Sequence, residues 1–470
     1  MLPEDHPARF VAAFVDKQSL DDRQGLGCDL EGDPLGAPAY HPRALLSVWN
    51  YGFMIGIRSS RKLEAGCRDQ IPFLWLTGRQ SPDHNSLWRF YKAHRQGMRR
   101  LLKDTVRTAV KMDLVNLALQ AVDGTKVAAN ASHDGTLDAE GLERLLQRTE
   151  AAIAELEAQN ATGGDAPPAR LPQELAQEKA LRERVKEALD RVQQEDGPRQ
   201  INLADPDARV LKTRGGFVTG YNAQAMVAPL DLPGGAGGGM LITATDVVSG
   251  GDDQPSLLPM VEAAKENTGQ GEGVTTLADA GYYSGANLAA CAEQKRRVLI
   301  AGPQQRKREK NPYHKDHFRF DADSDTYRCP QGAALRYLGT EQHQNGYQVR
   351  VYQAPGATCV ACPAFGVCTQ SHRHRKLKVG EYETHLDRHR KLMALPEVQV
   401  LYKRRKELPE PVFGIIKEQQ GGRRFLLRGR ANVKAEWALL ATGFNLRTLH
   451  RVWWAFLRGG KRNMLASVAA

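Results

Sequence analysis

The stretch Asn116 to Asn130, NLALQAVDGTKVAAN, decides how the rest of the chain is read. Apolar and polar residues alternate along it, which is the period of a half-buried strand. Asp123 and Gly124 stand at its centre. Asp-Gly between alternating hydrophobics is the strongest short-range hairpin signal, so on this segment alone a hairpin turn is favoured over a strand that delivers Asp123 to a site.

Two further acidic residues have comparable settings. In TTLADAGYYSGAN (275–287) a short β-rich run ends at Asp279, and Ser284 is placed to cap the next helix. In RRKELPEPVFGIIK (404–417), Glu410 lies between Pro409 and Pro411. The residue before a proline is pushed out of the αR region, so Glu410 is expected at or just before a helix start, with Pro411 at N1. Lys417, seven residues on, shares its face. Asp123, Asp279 and Glu410 together read as the carboxylates of a divalent-metal phosphoryl-transfer site. Hard cations such as Mg²⁺ prefer oxygen ligands, and two of them about 3.5–4 Å apart can activate an attacking oxygen and stabilise a leaving one. A surface capping role is the alternative for Glu410. Glu436, in KAEWALLATGF, is the competing third carboxylate, on a helix whose Trp437, Leu440 and Phe444 read as core.

Composition bounds this reading. The chain has 470 residues, 65 Lys plus Arg against 54 Asp plus Glu, and a formal net charge of +11. That length implies several domains, and the basic excess suits a polyanionic partner. There is no run of about 18 apolar residues to span a membrane. MLPEDHPARF begins acidic and has no apolar core of a signal peptide, so a cytoplasmic setting is expected. Cys28, Cys67 and Cys291 are scattered and read as buried thiols. Cys329, Cys359, Cys362 and Cys368 cluster, with a C-x2-C pair, and fit a closed four-thiolate structural Zn²⁺ site, with His372 and His374 near enough to replace one thiol.

The order of patterns gives an α/β protein with several additions. Residues 1–110 read as a helical N-terminal DNA-binding domain. In it Ser81 and Pro82 are a candidate helix start, Trp88 and Phe90 candidate core, and Arg58, Arg61 and Lys62 either a solvated face or a DNA contact. Residues 111–302 read as the first part of a catalytic core, interrupted at 138–196 by an antiparallel helical hairpin. Within that hairpin Leu142, Leu145, Thr149, Ile153 and Leu156 form one stripe, and Leu181, Val185, Leu189 and Val192 the other. A flexible GGAGGG separates two later strands. Residues 303–395 form a Cys-rich basic insertion resembling a zinc ribbon, with the runs RKREK and HRHRKLK; residues 396–470 return the last helices of the core and a basic tail. Three strands, helix, strand, helix, strand, insertion and final helix is the order of an RNase H-like mixed sheet with flanking helices.

The motifs DGTKVAANAS, DPDAR, GYNAQ, LADAGYYSGANL, EPVFGIIK and RRFLLRGRANVKAEWALLATGFNLRTL, with SSRKLEAGC and PDHNSLWRF near the start, resemble a bacterial insertion-sequence transposase of the DDE type. The likeness runs from about residue 3 to 455. It implies an RNase H-like catalytic domain whose Asp, Asp, Glu triad falls on Asp123, Asp279 and Glu410, which reverses the preference for a hairpin at Asp123. It also implies two Mg²⁺ (or Mn²⁺) ions, binding to double-stranded terminal inverted repeats and target DNA, and a homo-oligomer acting on paired ends. Related transposases carry a Tyr, Arg, Glu, Lys signature; Tyr402, Arg405, Glu410 and Lys417 keep its order, with one extra residue between Arg405 and Glu410. Arg405 and Lys417 are expected on phosphate. Tyr402 is expected either on a displaced base or in packing. Arg61, Lys62, Arg423 and Arg424 complete the set expected to contact DNA. The implied chemistry is cleavage at an element end, releasing a 3′-hydroxyl that attacks target DNA. A retained DNA-binding protein that no longer transposes, and an RNase H-like nuclease without strand joining, are the alternatives.

Overall fold

The computed structural model describes residues 2–19, 40–162, 171–231, 239–302, 311–342 and 347–458. Cys28, most of GGAGGG, the RKREK run and the basic tail fall outside the described residues. The chain divides into two compact units, residues 1–270 with 407–470, and residues 271–406.

The first unit begins with six helices: α1 (Pro7–Asp16), α2 (Pro42–Ile55), α3 (Ser60–Asp69), α4 (Ile71–Leu76), α5 (His84–Met98) and α6 (Arg100–Lys111). α5 starts later than expected from Ser81 and Pro82. Asp83 is its N-cap, accepting from the N–H groups of Asn85 at 2.8 Å and Ser86 at 3.0 Å, because a carboxylate satisfies the orphan amides of the first turn. Phe90 is buried, but Trp88 is 40% exposed and is not core.

The strand β1 (Leu119–Ala128) follows and overturns the hairpin reading. It passes through Asp123 and Gly124 without turning and pairs antiparallel with β5 (Gly216–Pro229), Asp123 opposite Ala225 and Gly124 opposite Gln224. Local turn propensity loses because Ala121 to Ala128 each gain a ladder partner on β5, and Leu119 to Val122 and Val127 are buried. β5 also carries the short β4 (Arg209–Thr213) and the longer β6 (Met240–Val248), both antiparallel. α9 (Leu257–Thr268) packs on this sheet. The unit closes with α14 (Pro409–Glu418) and α15 (Arg430–Arg458). Inside it, Asn445 on α15 joins three elements. Its amide donates to Thr105 Oγ1 on α6 at 3.0 Å and to the Ile242 carbonyl on β6 at 2.9 Å, and it accepts from the Ile242 N–H.

The expected helical hairpin is present as α7 (Ala139–Thr162) and α8 (Leu171–Gln193). The ion pairs Lys179–Glu157 at 2.7 Å and Lys186–Glu150 at 3.9 Å step in opposite directions along the two helices, which makes them antiparallel. The short β2 (Thr136–Leu137) and β3 (Ile201–Asn202) pair antiparallel at its base, where Leu142, Val185, Ala188 and Ile201 form the core.

In the second unit, β7 (Thr275–Ala278), α10 (Gly285–Glu293) and β8 (Arg297–Ile300) form a βαβ turn with parallel strands. Ser284 caps α10, accepting from Asn287 N–H at 3.1 Å. The Cys-rich insertion is more than a small ribbon. β9 (Arg319–Asp321), β10 (Thr326–Arg328), β11 (Ala334–Gln342), β12 (Gln348–Gln353) and β13 (Lys376–Gly380) make a five-stranded antiparallel sheet in the order β13-β12-β11-β10-β9. The short α11 (Gly356–Val360) lies between its last two strands, and α12 (Glu383–Ala394) and α13 (Pro396–Lys403) end the unit. Among the described residues no helix is long and apolar enough to cross a membrane.

Candidate functional site

Asp123 is half-buried, and its Oδ1 accepts from the Gly124 N–H at 2.8 Å. Side chains alternate along a strand, so Asp123 and Thr125 share one face of β1. α14 covers that face: Lys417 Nζ donates to Thr125 Oγ1 at 2.5 Å and to the Lys126 carbonyl at 3.3 Å. Burial lowers the Lys417 pKa, Arg423 lowers it further, and Glu418 opposes both.

Glu410 is exposed in the first turn of α14. The helix begins at Pro409, not at Pro411, so Glu410 is at N2 and Pro411 at N3. Both prolines fit because the first-turn amides have no intrahelical partner to lose. Glu410, Gly414 and Lys417 line up at i, i+4 and i+7, about 10 Å from end to end. A Cβ added at Gly414 would meet nothing within 4 Å, so this stripe is open.

Basic groups gather at the far end of β1. The Ala128 N–H donates to the Arg423 carbonyl at 3.2 Å, and Phe425 N–H to the Ala128 carbonyl at 2.8 Å, so residues 423–425 run beside the strand. Both Arg423 and Arg424 are exposed there, Arg423 paired with Glu418.

Arg58 and Glu436 hold this segment from below. Glu436 is 1% exposed and accepts from Arg58 at 2.5 Å and from the Leu426 and Leu427 N–H groups at 3.0 Å. Arg58 also donates to the carbonyls of Gly421 and Arg424. Burial raises the Glu436 pKa against the pull of Arg58. Glu436 is therefore a structural carboxylate inside the fold, and Arg58 is neither solvated nor a DNA contact. Arg61 and Lys62 are exposed on α3. The DPDAR motif is likewise structural. Asp205 Oδ1 accepts from Tyr221 Oη at 2.7 Å and Gly429 N–H at 3.1 Å, while Asp207 accepts from Arg430 N–H at 3.0 Å at the start of α15.

A basic face that the motif reading passed over lies on α5 and α6. Between residues 84 and 111 eight Lys or Arg stand against one acid, Asp104. Arg89, Lys92, Arg99, Arg100, Arg107 and Lys111 are exposed. Charge density along the sequence was the signal that could have found it.

In the second unit, Asp279 follows β7 directly, is half-buried, and accepts from the Gly281 N–H at 2.8 Å. Tyr402 fixes the strand end before it. Its hydroxyl donates to the Ala278 carbonyl at 2.9 Å and accepts from the Ala301 N–H at 3.3 Å. Arg405 is half-buried in the turn after α13.

Cys329, Cys359, Cys362 and Cys368 line one cavity of about 190 Å³ beside the core of the antiparallel sheet. Ala333 N–H donates to Cys329 Sγ at 3.2 Å and Arg375 N–H to Cys359 Sγ at 3.4 Å. His372 and His374 are not among the residues lining it. Cys67 and Cys291 are fully buried, and burial pushes their thiols up to about 12 and about 11. Among the described residues, no group of three or more His, Cys, Asp or Glu side chains is placed to hold a metal ion.

No curated protein matches the chain. Two family models do: a transposase DDE domain over residues 328–450, which takes in Glu410 but neither Asp123 nor Asp279, and a transposase domain (DUF772) over residues 1–93. With one match near each end, the chain is related to the insertion-sequence transposases of the DDE type.

Proposed function

We propose that the protein is a DNA transposase with an RNase H-like core, which cleaves at the ends of its element and joins the released 3′-hydroxyl to target DNA. The observation that carries this reading is Asp123 in mid-strand, on the face covered by the Glu410 helix, with Lys417 bonded two residues along. Asp123, Asp279 and Glu410 would hold two Mg²⁺ ions. Bound there, such ions supply Lewis-acid activation of the attacking and leaving oxygens.

The chain's own residues do the rest. Lys417, Arg423 and Arg424 neutralise phosphate charge at the end of β1, guanidinium groups by forked bonds and the ammonium as a point charge. The open stripe at Gly414 leaves room for a sugar-phosphate backbone beside Glu410. Arg61, Lys62 and the basic face of α5 and α6 track duplex phosphates, so affinity falls steeply with salt. Tyr402 keeps the backbone before Asp279 in place and Arg405 meets phosphate nearby. Work on paired ends would require a homo-oligomer. A Zn²⁺ ion bound by Cys329, Cys359, Cys362 and Cys368 would draw the four thiols of the shared cavity together and close the insertion's core.

The test is a Mg²⁺-dependent cleavage and strand-transfer assay on the DNA flanking the gene, comparing wild type with Asp123→Ala, Asp279→Ala and Glu410→Ala. Each variant should lose both steps and keep end binding. A variant that still cut at the wild-type rate would remove that residue from the site. End binding by a wild type that never cuts would favour a retained DNA-binding role, and cutting without end preference or joining a nuclease.

A further inference from the structure

Gly124 lies under three polar atoms. A Cβ built there would stand within 2.7 Å of Gln224 Nε2, Asn222 Oδ1 and Asp253 Oδ1. Asn222 and Gln224 are fully buried, and both donate to Asp253 Oδ1, at 2.7 and 2.8 Å. Lys126 Nζ donates to the Gly251 carbonyl at 3.2 Å and lies 3.9 Å from Asp253 Oδ1, which ties the loop before α9 to β1. Gly124 and Lys126 face the side of β1 opposite to Asp123 and Thr125.

From this geometry we infer that Asn222, Gln224 and Asp253 are positioning residues that brace Gly124 from behind and thereby aim the Asp123 carboxylate. Resting on the transposase reading, the inference adds residues that no motif assigned to the reaction. Its chain of contacts is short. Asp253 collects the two amides, the amides seat against the Gly124 backbone, and the Gly124 N–H holds Asp123 Oδ1. Stability alone does not explain the arrangement. A glycine weakens a strand interior, and the buried Asn222 Oδ1 has no hydrogen-bond partner among the described residues, which is costly to keep. Apolar residues at 222, 224 and 253 with alanine at 124 would pack without either penalty. The polar set instead fixes one backbone position to a carboxylate's tolerance, as outer contacts do for the ligands of a metal.

Asp253→Asn keeps the shape and removes the charge that gathers both amides. Two readouts are taken on the full chain: amide exchange of the 119–128 peptide by mass spectrometry, and Mn²⁺ binding by electron paramagnetic resonance. The brace predicts faster exchange at residues 123–125 and Mn²⁺ affinity about 10–100-fold weaker, with DNA-end binding unchanged. Lys126→Met, at a partly exposed position, should move both in the same direction by less, and serves if Asp253→Asn does not fold. Unchanged exchange in the folded variants overturns the brace whatever the activity. Faster exchange with unchanged Mn²⁺ affinity also overturns it, because the contact would then be merely structural. A wild type that binds no Mn²⁺ would instead count against the functional reading, leaving the backbone contact to be judged on exchange alone.

Discussion

The unit built on β1 and β5 and the Cys-rich sheet of the second unit use charge in opposite ways. In the first, Arg58 and Glu436 are sealed inside, 7% and 2% exposed at their side chains, in a unit that also buries Trp437, Phe425 and Leu440. In the second, the cluster beside the thiols is small, Phe318, Leu335, Tyr352, Ala354 and Leu377, and the ion pairs lie outside it in a web around Arg390, Glu383, Lys315 and Asp316. The first unit has core enough to bury a charge pair. The Cys-rich sheet buries a smaller cluster, against which Cys329, Cys359 and Cys368 also pack. A site needing rigid carboxylates is better served by the first kind of construction, and an inserted module that must only stay folded can use the second.

The sharpest break in that contrast is metal removal. If the four cysteines hold zinc, chelation or Cys359→Ser should strip exchange protection from β9–β13 while β1 and β5 keep theirs, because a structural zinc supplies folding energy outright. Protection that survives in both would show that the small apolar core suffices. Next is Arg58→Met, which leaves Glu436 buried and unpaired. Urea melts should show a loss of about 3–5 kcal/mol, whereas Arg58→Met combined with Glu436→Leu should recover most of it.

Acid should act on Glu383 and Glu436 with opposite sign. For Glu383, burial pushes the pKa up but Lys315 and Arg390 outweigh it and hold the group below its usual range. Its contribution is thus complete above the unfolded value of about 4.3 and is lost as pH falls through the lower folded value. Glu436 is shifted upward by burial, so its contribution to stability grows as pH falls. Exchange measured from pH 6 to 3 should show the start of α12, which carries Glu383, loosening while the Leu426 and Leu427 amides held by Glu436 keep their protection; the reverse order would contradict this account. The smallest expected effect is at Gly414. Alanine there should stabilise the first unit by about 0.5–1 kcal/mol, yet slow DNA cleavage, since it narrows the open stripe between Glu410 and Lys417.

Much of the architecture was legible in the chain. Strand alternation marked β1, three- and four-residue spacing gave the α7–α8 hairpin, and Ser284 announced α10. What failed were decisions that depend on distant partners. Asp123–Gly124 carries the local signature of a turn, and pairing in the sheet keeps it straight. The glycine is required instead by Asn222, Gln224 and Asp253, which come from two other segments. Pro411 reads as a helix start because the rule for residues before proline ignores that both prolines fit within one first turn. Arg58 looked like surface charge since its partner, Glu436, lies 378 residues away. Of the candidate site, the motifs single out Asp123, Asp279 and Glu410 for the proposal, while the polar brace and the basic face of α5 and α6 required the fold or a charge count.

The most direct test of the central claim is to load the protein with Fe²⁺ in place of Mg²⁺, generate hydroxyl radicals with ascorbate and peroxide, and map the backbone breaks by mass spectrometry. One metal site formed by Asp123, Asp279 and Glu410 predicts breaks near all three residues, suppressed together by excess Mg²⁺ and abolished by Asp123→Ala. Breaks confined to other segments, or unaffected by that substitution, would contradict it.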